Sequence, residues 1–122
     1  MLHRVEPHEN YHGLPCSIVA VGCALGYEDF EDIRRLRPKG IYDNGYLPLE
    51  AGNRFIRAVL PVSKRVYYKR GMRPKLCDVL LNNKRRAVIC CYGHLIYAEG
   101  DTYYSFFDND NDDVVSIWWL NA

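Results

Sequence analysis

The sequence predicts an α+β fold in which helices come first and an antiparallel sheet of about four or five strands follows. Two observations carry that expectation. Residues 15–26, PCSIVAVGCALG, are apolar at helical spacing and are bracketed by a proline and a glycine. Beyond residue 86 the chain breaks into short β-type runs separated by turn residues. With 122 residues, of which 48% are hydrophobic, the size is that of one domain, residues 1–122, with enough apolar side chain for a core.

Polar residues fill the first dozen positions. Pro15 then suits a first helical turn and Gly26 a helix end. Cys16, Ala20, Cys23 and Ala24 repeat at helical spacing with Ile18, Val19 and Leu25 around them. A helix apolar nearly all round is buried on most sides. A second helix is expected over residues 27–38, YEDFEDIRRLRP, where acids lead and arginines trail, as the helix dipole favours. Phe30, Ile33 and Leu36 form its apolar stripe. Residues 41–48 read as a loop with Asn44-Gly45 at its tip. A third short helix is expected over residues 49–60, weakened by Gly52. Residues 62–69, VSKRVYYK, alternate as a strand does. Residues 73–83 read as a helix with Leu76, Val79 and Leu80 inward. The strands RAVICCYG, HLIYAEG, TYYSFFD and VVSIWWL complete the chain, with a hairpin turn at Glu99-Gly100-Asp101 and the polar loop NDNDD before the last strand.

The five cysteines, Cys16, Cys23, Cys77, Cys90 and Cys91, are odd in number and contain no CxxC pair. Adjacent Cys90 and Cys91 would point to opposite faces of a strand. This is no disulfide framework, and it points to a reducing compartment. The opening residues MLHRVEPHENYH hold no apolar signal segment, and the longest apolar run is too short to cross a bilayer. A cytoplasmic location follows as the expectation. The net charge of +1 gives no general attraction to nucleic acid or to an acidic membrane.

Cys16 falls in the first turn of the first helix. Partial positive charge at a helix N-terminus favours the thiolate, the form of cysteine that attacks carbon. The competing reading is a small buried hydrophobe, which most free cysteines are. His94 begins the strand HLIYAEG, where a rigid backbone can aim an imidazole across a cleft at a thiol. A histidine merely exposed at a hairpin is the alternative. Asp108 ends the run TYYSFFD. If that run pairs with HLIYAEG through the Glu99-Gly100-Asp101 turn, Asp108 comes to lie beside His94 and can orient it; Asn109 can do so one residue later. Asn10 lies six residues before Cys16, from where an amide could join the Cys16 backbone N–H in an oxyanion hole.

This order of helix-start cysteine, strand histidine and strand-end aspartate resembles the papain-like superfamily of cysteine peptidases. PCSIVAVGCALGYEDFEDI resembles the opening helix pair of small papain-like proteins common in bacteriophage genomes. GHLIYAEGDTYYSFFDND resembles their closing hairpin, and LCDVLLNNKRRAVI the helix and strand before it. The resemblance implies a minimal papain-like fold and a peptidase- or amidase-like hydrolase passing through a thioester. Cys16 would be the nucleophile, His94 the base, Asp108 the orienter and Asn10 the oxyanion donor. A peptide or protein substrate, a host-cytoplasmic setting and no cofactor follow from it. The chain departs from the family pattern at Asn10, where glutamine is usual, and at Pro15. A non-catalytic binding or inhibitory protein on the same scaffold is the alternative, and an amine acceptor in place of water would make the chemistry acyl transfer.

Other constellations point less far. Asp108, Asp110 and Asp112 alternate as in calcium loops, but the glycine and glutamate of an EF-hand are replaced by Asp113 and Trp119. His8, His12 and Cys16 repeat every four residues, but Gly13 and Pro15 oppose the helix that would align them on a metal. Basic residues recur at Lys64-Arg65, Lys69-Arg70, Arg73, Lys75 and Lys84-Arg85-Arg86, with Tyr67 and Tyr68 between them. Solvated edges are the primary reading of these, and a nucleic-acid face the secondary one.

Overall fold

The apolar run after Pro15 folds as helix α1, Cys16–Leu25, in a computed structural model that describes residues 2–28, 31, 32, 35 and 49–121. Gly26 ends α1 in the left-handed conformation, φ 75°, which side chains other than glycine resist. Its N–H and that of Tyr27 return to the Cys23 and Gly22 carbonyls, so the last turn is satisfied. Helix α2 spans Leu49–Val59 and buries Phe55 and Ile56. Most of the helix expected over residues 27–38, and the Asn44-Gly45 turn, lie outside the described residues.

Strand β2, Val62–Tyr67, leads to α3, Leu76–Leu80. This helix is shorter than residues 73–83, because Pro74 precedes it and Leu81 has already left helical geometry. Leu76 and Leu80 are buried and Val79 is half-buried, all toward the sheet. Strands β3, Arg86–Cys91, and β4, His94–Glu99, form a hairpin. After Gly100-Asp101 comes β5, Thr102–Tyr104, and β6 is Val114–Leu120.

The architecture is α+β, and the sheet is mixed. No residue pattern announces the first strand, β1, His3–Val5, which pairs parallel with β5. All three of its residues are exposed, so no apolar alternation betrays it. The sheet therefore has six strands in the order β1-β5-β4-β3-β6-β2, antiparallel except at β1. The expected antiparallel sheet is corrected at that edge.

Both faces of the sheet centre are covered. Val88, Tyr97, Trp118 and Leu120 pack against α1 and α2, whereas Ala87, Ile89, Ile96 and Ile117 pack with Leu76 and Leu80 of α3. A strand buried on both faces reads as a continuous apolar run, as AVIC does. Cys91 belongs to the α3 side and Cys90 to the opposite face, as the adjacent pair requires. Among the described residues no helix is long and apolar enough to cross a membrane.

Arg86 fixes the position of α1. Its guanidinium donates to the Ala24 carbonyl at 2.7 Å, near the C-terminal end of α1, and to the Tyr97 hydroxyl at 2.7 Å. From Ala24 back to Cys16 the helix rises about 12 Å. From Arg86 forward to Cys90 the strand advances about 13 Å. Anchoring one end of α1 on Arg86 thus carries Cys16 to the end of the sheet where β3 stops and β4 starts.

Candidate active site

Cys16 is the first residue of α1 and is half-buried. Pro15 ahead of it has extended backbone and makes no side-chain cap. The Pro15 carbonyl accepts from Ile18 and Val19 N–H, so the earlier N–H groups of the first turn have no partner inside the helix. His94 is the first residue of β4 and pairs with Cys91 across the two-residue turn Tyr92-Gly93, where Gly93 takes φ 76°. Cys16 and His94 line one cavity of about 290 Å³, walled by Tyr11, Tyr104, Phe106 and Phe107. The Tyr11 hydroxyl donates to the Tyr27 carbonyl, tying the N-terminal wall to the chain beyond α1. No hydrogen bond joins Cys16 to His94 among the described residues.

The imidazole is held from its other side. His94 Nε2 lies 3.3 Å from Ser105 Oγ. Ser105 donates to Asn109 Oδ1 at 2.6 Å, and Asn109 Nδ2 donates to Asp112 Oδ2 at 2.6 Å. These roles have one direction. A carboxylate only accepts, so Asn109 must turn its NH₂ to Asp112 and its oxygen to Ser105. The single Ser105 proton is then used on Asn109. Ser105 Oγ already accepts from Phe107 N–H at 3.1 Å, and its second lone pair takes a proton from His94. Nε2 therefore carries the hydrogen, and Nδ1 is the bare nitrogen able to accept one. Asn109 and Ser105 are both buried, which shields this chain of bonds from competing water.

Asp108 stands elsewhere. Its Oδ1 accepts from Asp110 N–H at 3.0 Å and lies 3.4 Å from the Tyr103 hydroxyl. The reason is that β5 stops at Tyr104. The register of Tyr97 with Tyr104, if continued, would bring Phe107 opposite His94, and the Phe107 ring does meet His94 edge-on at 5.8 Å. The chain then turns, and Asn109, through Ser105, reaches the imidazole. Asn10 is exposed on a one-turn 3-10 helix, Glu9–Tyr11, and its amide donates to the Glu28 carbonyl at 3.1 Å. Neither Asp108 nor Asn10 lines the cavity. His8 Nδ1 accepts from Asn10 N–H, and His12 stacks on Phe106 at 4.2 Å. The aspartates of the calcium-like loop are engaged within the protein: Asp110 accepts from Tyr103, Asp112 from Asn109 and Asp113 from Lys75.

Burial lowers the His94 pKa below 6.5, opposed by the charge of Asp112. The imidazole is neutral at pH 7 in consequence. Burial raises the other thiols of the core: Cys23 to about 11, and Cys91 to about 12 with Asp112 and Cys90 contributing. Cys90 is also raised, mainly by burial. Raising a thiol from 9.0 to about 11 cuts its thiolate near pH 8 by about 100-fold. Cys23 and Cys91 are therefore expected to alkylate with iodoacetamide at least about 100-fold more slowly than an unfolded control. Peptide mass spectrometry over time measures this; rates within tenfold of the control would mean that these thiols are not buried as described.

No protein-family model, curated protein or solved structure matches the chain. The sequence brought Cys16 and His94 forward by position alone. It did not single out Ser105, because a serine in an aromatic run carries no signal until the strand is known to end at Tyr104.

Proposed function

We propose that the protein is a papain-like thiol hydrolase of amide or isopeptide bonds, with Cys16 as nucleophile and His94 as base. The observation that carries this reading is the cavity lined by both Cys16 and His94, toward which the imidazole can offer an unprotonated Nδ1. Its Nε2–H is committed to Ser105. His94 Nδ1 takes the thiol proton, and Cys16 Sγ attacks the carbonyl carbon. The resulting oxyanion meets the Cys16 backbone N–H. The C–N bond then breaks as His94 returns the proton to the departing amine, leaving a thioester. Water, deprotonated by His94, releases the acid and the thiol. Ser105, Asn109 and Asp112 hold the imidazole in the productive tautomer, a duty that Asp108 would take only if the loop rearranged. Asn10 would join the oxyanion hole only on leaving the Glu28 carbonyl.

The aromatic walls support a second reading, a non-catalytic binding protein on the same scaffold. Tyr11, Tyr104, Phe106 and Phe107 crowd the thiol and could seat an apolar side chain without any reaction. Intact-mass analysis after an acid quench separates the two. Incubated with a library of peptide amides, the wild type should carry a thioester adduct on Cys16 and release amine, and Cys16→Ala should do neither. An adduct-free wild type with peptide bound in the cavity would favour the binding reading.

A further inference from the structure

The net charge of +1 conceals a strong segregation. Residues 54–86 hold eleven Lys and Arg and a single acid, Asp78, whereas residues 87–122 hold six acids and no Lys or Arg. The fold brings the two stretches together at two places, where Lys75 pairs with Asp113 and where Arg86 stands opposite Glu99, whereas Lys64 and Arg65 lie on β2, an edge of the sheet. Of the cations between positions 64 and 86, only Lys75 meets a carboxylate among the described residues, Asp113 at 2.6 Å. Lys64, Arg65, Lys69 and Arg70 are exposed.

Three cationic hollows surround that edge. The largest, about 610 Å³, is lined by Arg70, Gly71, Arg73, Lys75, Tyr92 and Asp113. Within it Arg73 Nε is buried without a hydrogen-bond partner, an unmet donor in a cationic hollow. A second lies at Arg57, Lys64 and Arg65 beside Trp118, and a third, of mixed charge with a basic excess, at Lys84, Arg85, Arg86 and Glu99. Flat rings accompany the charges. Arg65 lies 4.5 Å over Trp118, Arg85 4.9 Å over Trp119 and Arg73 6.0 Å over Tyr92. Tyr67 and Tyr92 are 64% and 78% exposed, so their rings are available to a ligand.

Charge on an edge strand resists unwanted strand pairing, which accounts for Lys64 and Arg65. It does not account for Arg70 and Arg73 beyond the strand, nor for the unmet Nε. We infer that the β2 edge and the 68–75 loop form a binding surface for single-stranded nucleic acid. Phosphates would sit in the cationic hollows and unstacked bases on Tyr67 and Tyr92. Separate hollows suit a flexible polyanion with a charge at every unit, and exposed tyrosines reach bases only where these are not stacked in a duplex. This surface stands independently of the chemistry proposed for Cys16.

Fluorescence anisotropy of a labelled twenty-nucleotide oligo(dT) with the full chain tests it. Binding is expected at 50 mM KCl and should weaken about 50-fold at 200 mM, for about four phosphates at a slope of about −0.7 each. Lys64→Glu with Arg70→Glu should flatten that slope and abolish binding at 200 mM. Tyr67→Ala with Tyr92→Ala should weaken binding about tenfold at unchanged slope. The inference is overturned if no binding occurs at 50 mM, or if the tyrosine pair can be removed without loss. It also fails if a twenty-residue oligoglutamate displaces the oligonucleotide at equal charge, since the surface would then be one for acidic polypeptides. That competition uses only the wild-type protein.

Discussion

Replacing His94 with alanine is expected to lower kcat/KM for any amide substrate of Cys16 by about a thousandfold, the middle of the range for a positioned general base. In the proposed mechanism the same nitrogen takes the thiol proton, protonates the amine and activates water, so its removal touches both halves of the reaction. The pH profile adds a sharper test. Burial disfavours imidazolium, so His94 holds its proton less tightly than an ordinary histidine of pKa 6.5. As pH falls through the lowered pKa, Nδ1 is protonated before the thiol can transfer to it, and the base is lost. The acid limb of kcat/KM should therefore lie below pH 6.5, and Asp112→Asn should move it further down, because the carboxylate is the charge that favours imidazolium. The effect on stability has the same origin. The folded pKa lies below the unfolded one, so the full contribution holds above pH 6.5 and is lost as pH falls toward the folded value. If His94→Ala reacts with substrate at the wild-type rate, or if the acid limb lies above pH 6.5, the assignment of His94 as base fails.

Much of the scaffold was legible in the sequence because it follows short-range rules. Pro15 and Gly26 bracket α1 since one suits a first turn and the other a left-handed cap. The β3–β4 and β4–β5 hairpins follow from Tyr92-Gly93 and Gly100-Asp101, where turn residues interrupt alternating apolar runs. The failures are long-range. β1 is held by backbone bonds to β5, about a hundred positions away, and its exposed side chains carry no trace of that pairing. Extending the run TYYSFFD as one strand places the orienting group at Asp108, but the strand ends at Tyr104. Where a strand ends depends on what the next residues bury. Here Ser105 and Asn109 turn inward to satisfy one another, and that cooperative arrangement has no signature in spacing. The basic residues from Lys64 to Arg86 are plain in the sequence, but not that Lys64 and Arg65 fall on an edge strand, because strand order in the sheet is set by long-range pairing.

Asn109 links stability to the site, and one isosteric change separates its two duties. Asn109→Asp keeps an oxygen for the Ser105 hydroxyl but replaces the NH₂ that donates to Asp112 at 2.6 Å with a second carboxylate oxygen. Two carboxylates at that separation, with residue 109 only 4% exposed, repel in a poorly solvated setting. A loss of about 3 kcal/mol in urea unfolding at pH 7 is expected. The loss should shrink at pH 4 to 5, because a carboxylate pair holds a shared proton at raised pKa and that proton restores the hydrogen bond. Turnover in the fraction that remains folded should fall little, since Ser105 still donates to residue 109 and still receives from His94. Ser105→Ala should do the reverse. It strands the Asn109 oxygen and the Phe107 N–H at a cost of about 1 to 3 kcal/mol, and it frees the imidazole to rotate or change tautomer, so kcat falls by more than KM changes. Wild-type stability of Asn109→Asp at pH 7 would mean that Asn109 and Asp112 do not touch. Without that contact nothing fixes the amide, and the direction of the chain from Asp112 to His94 is lost with it.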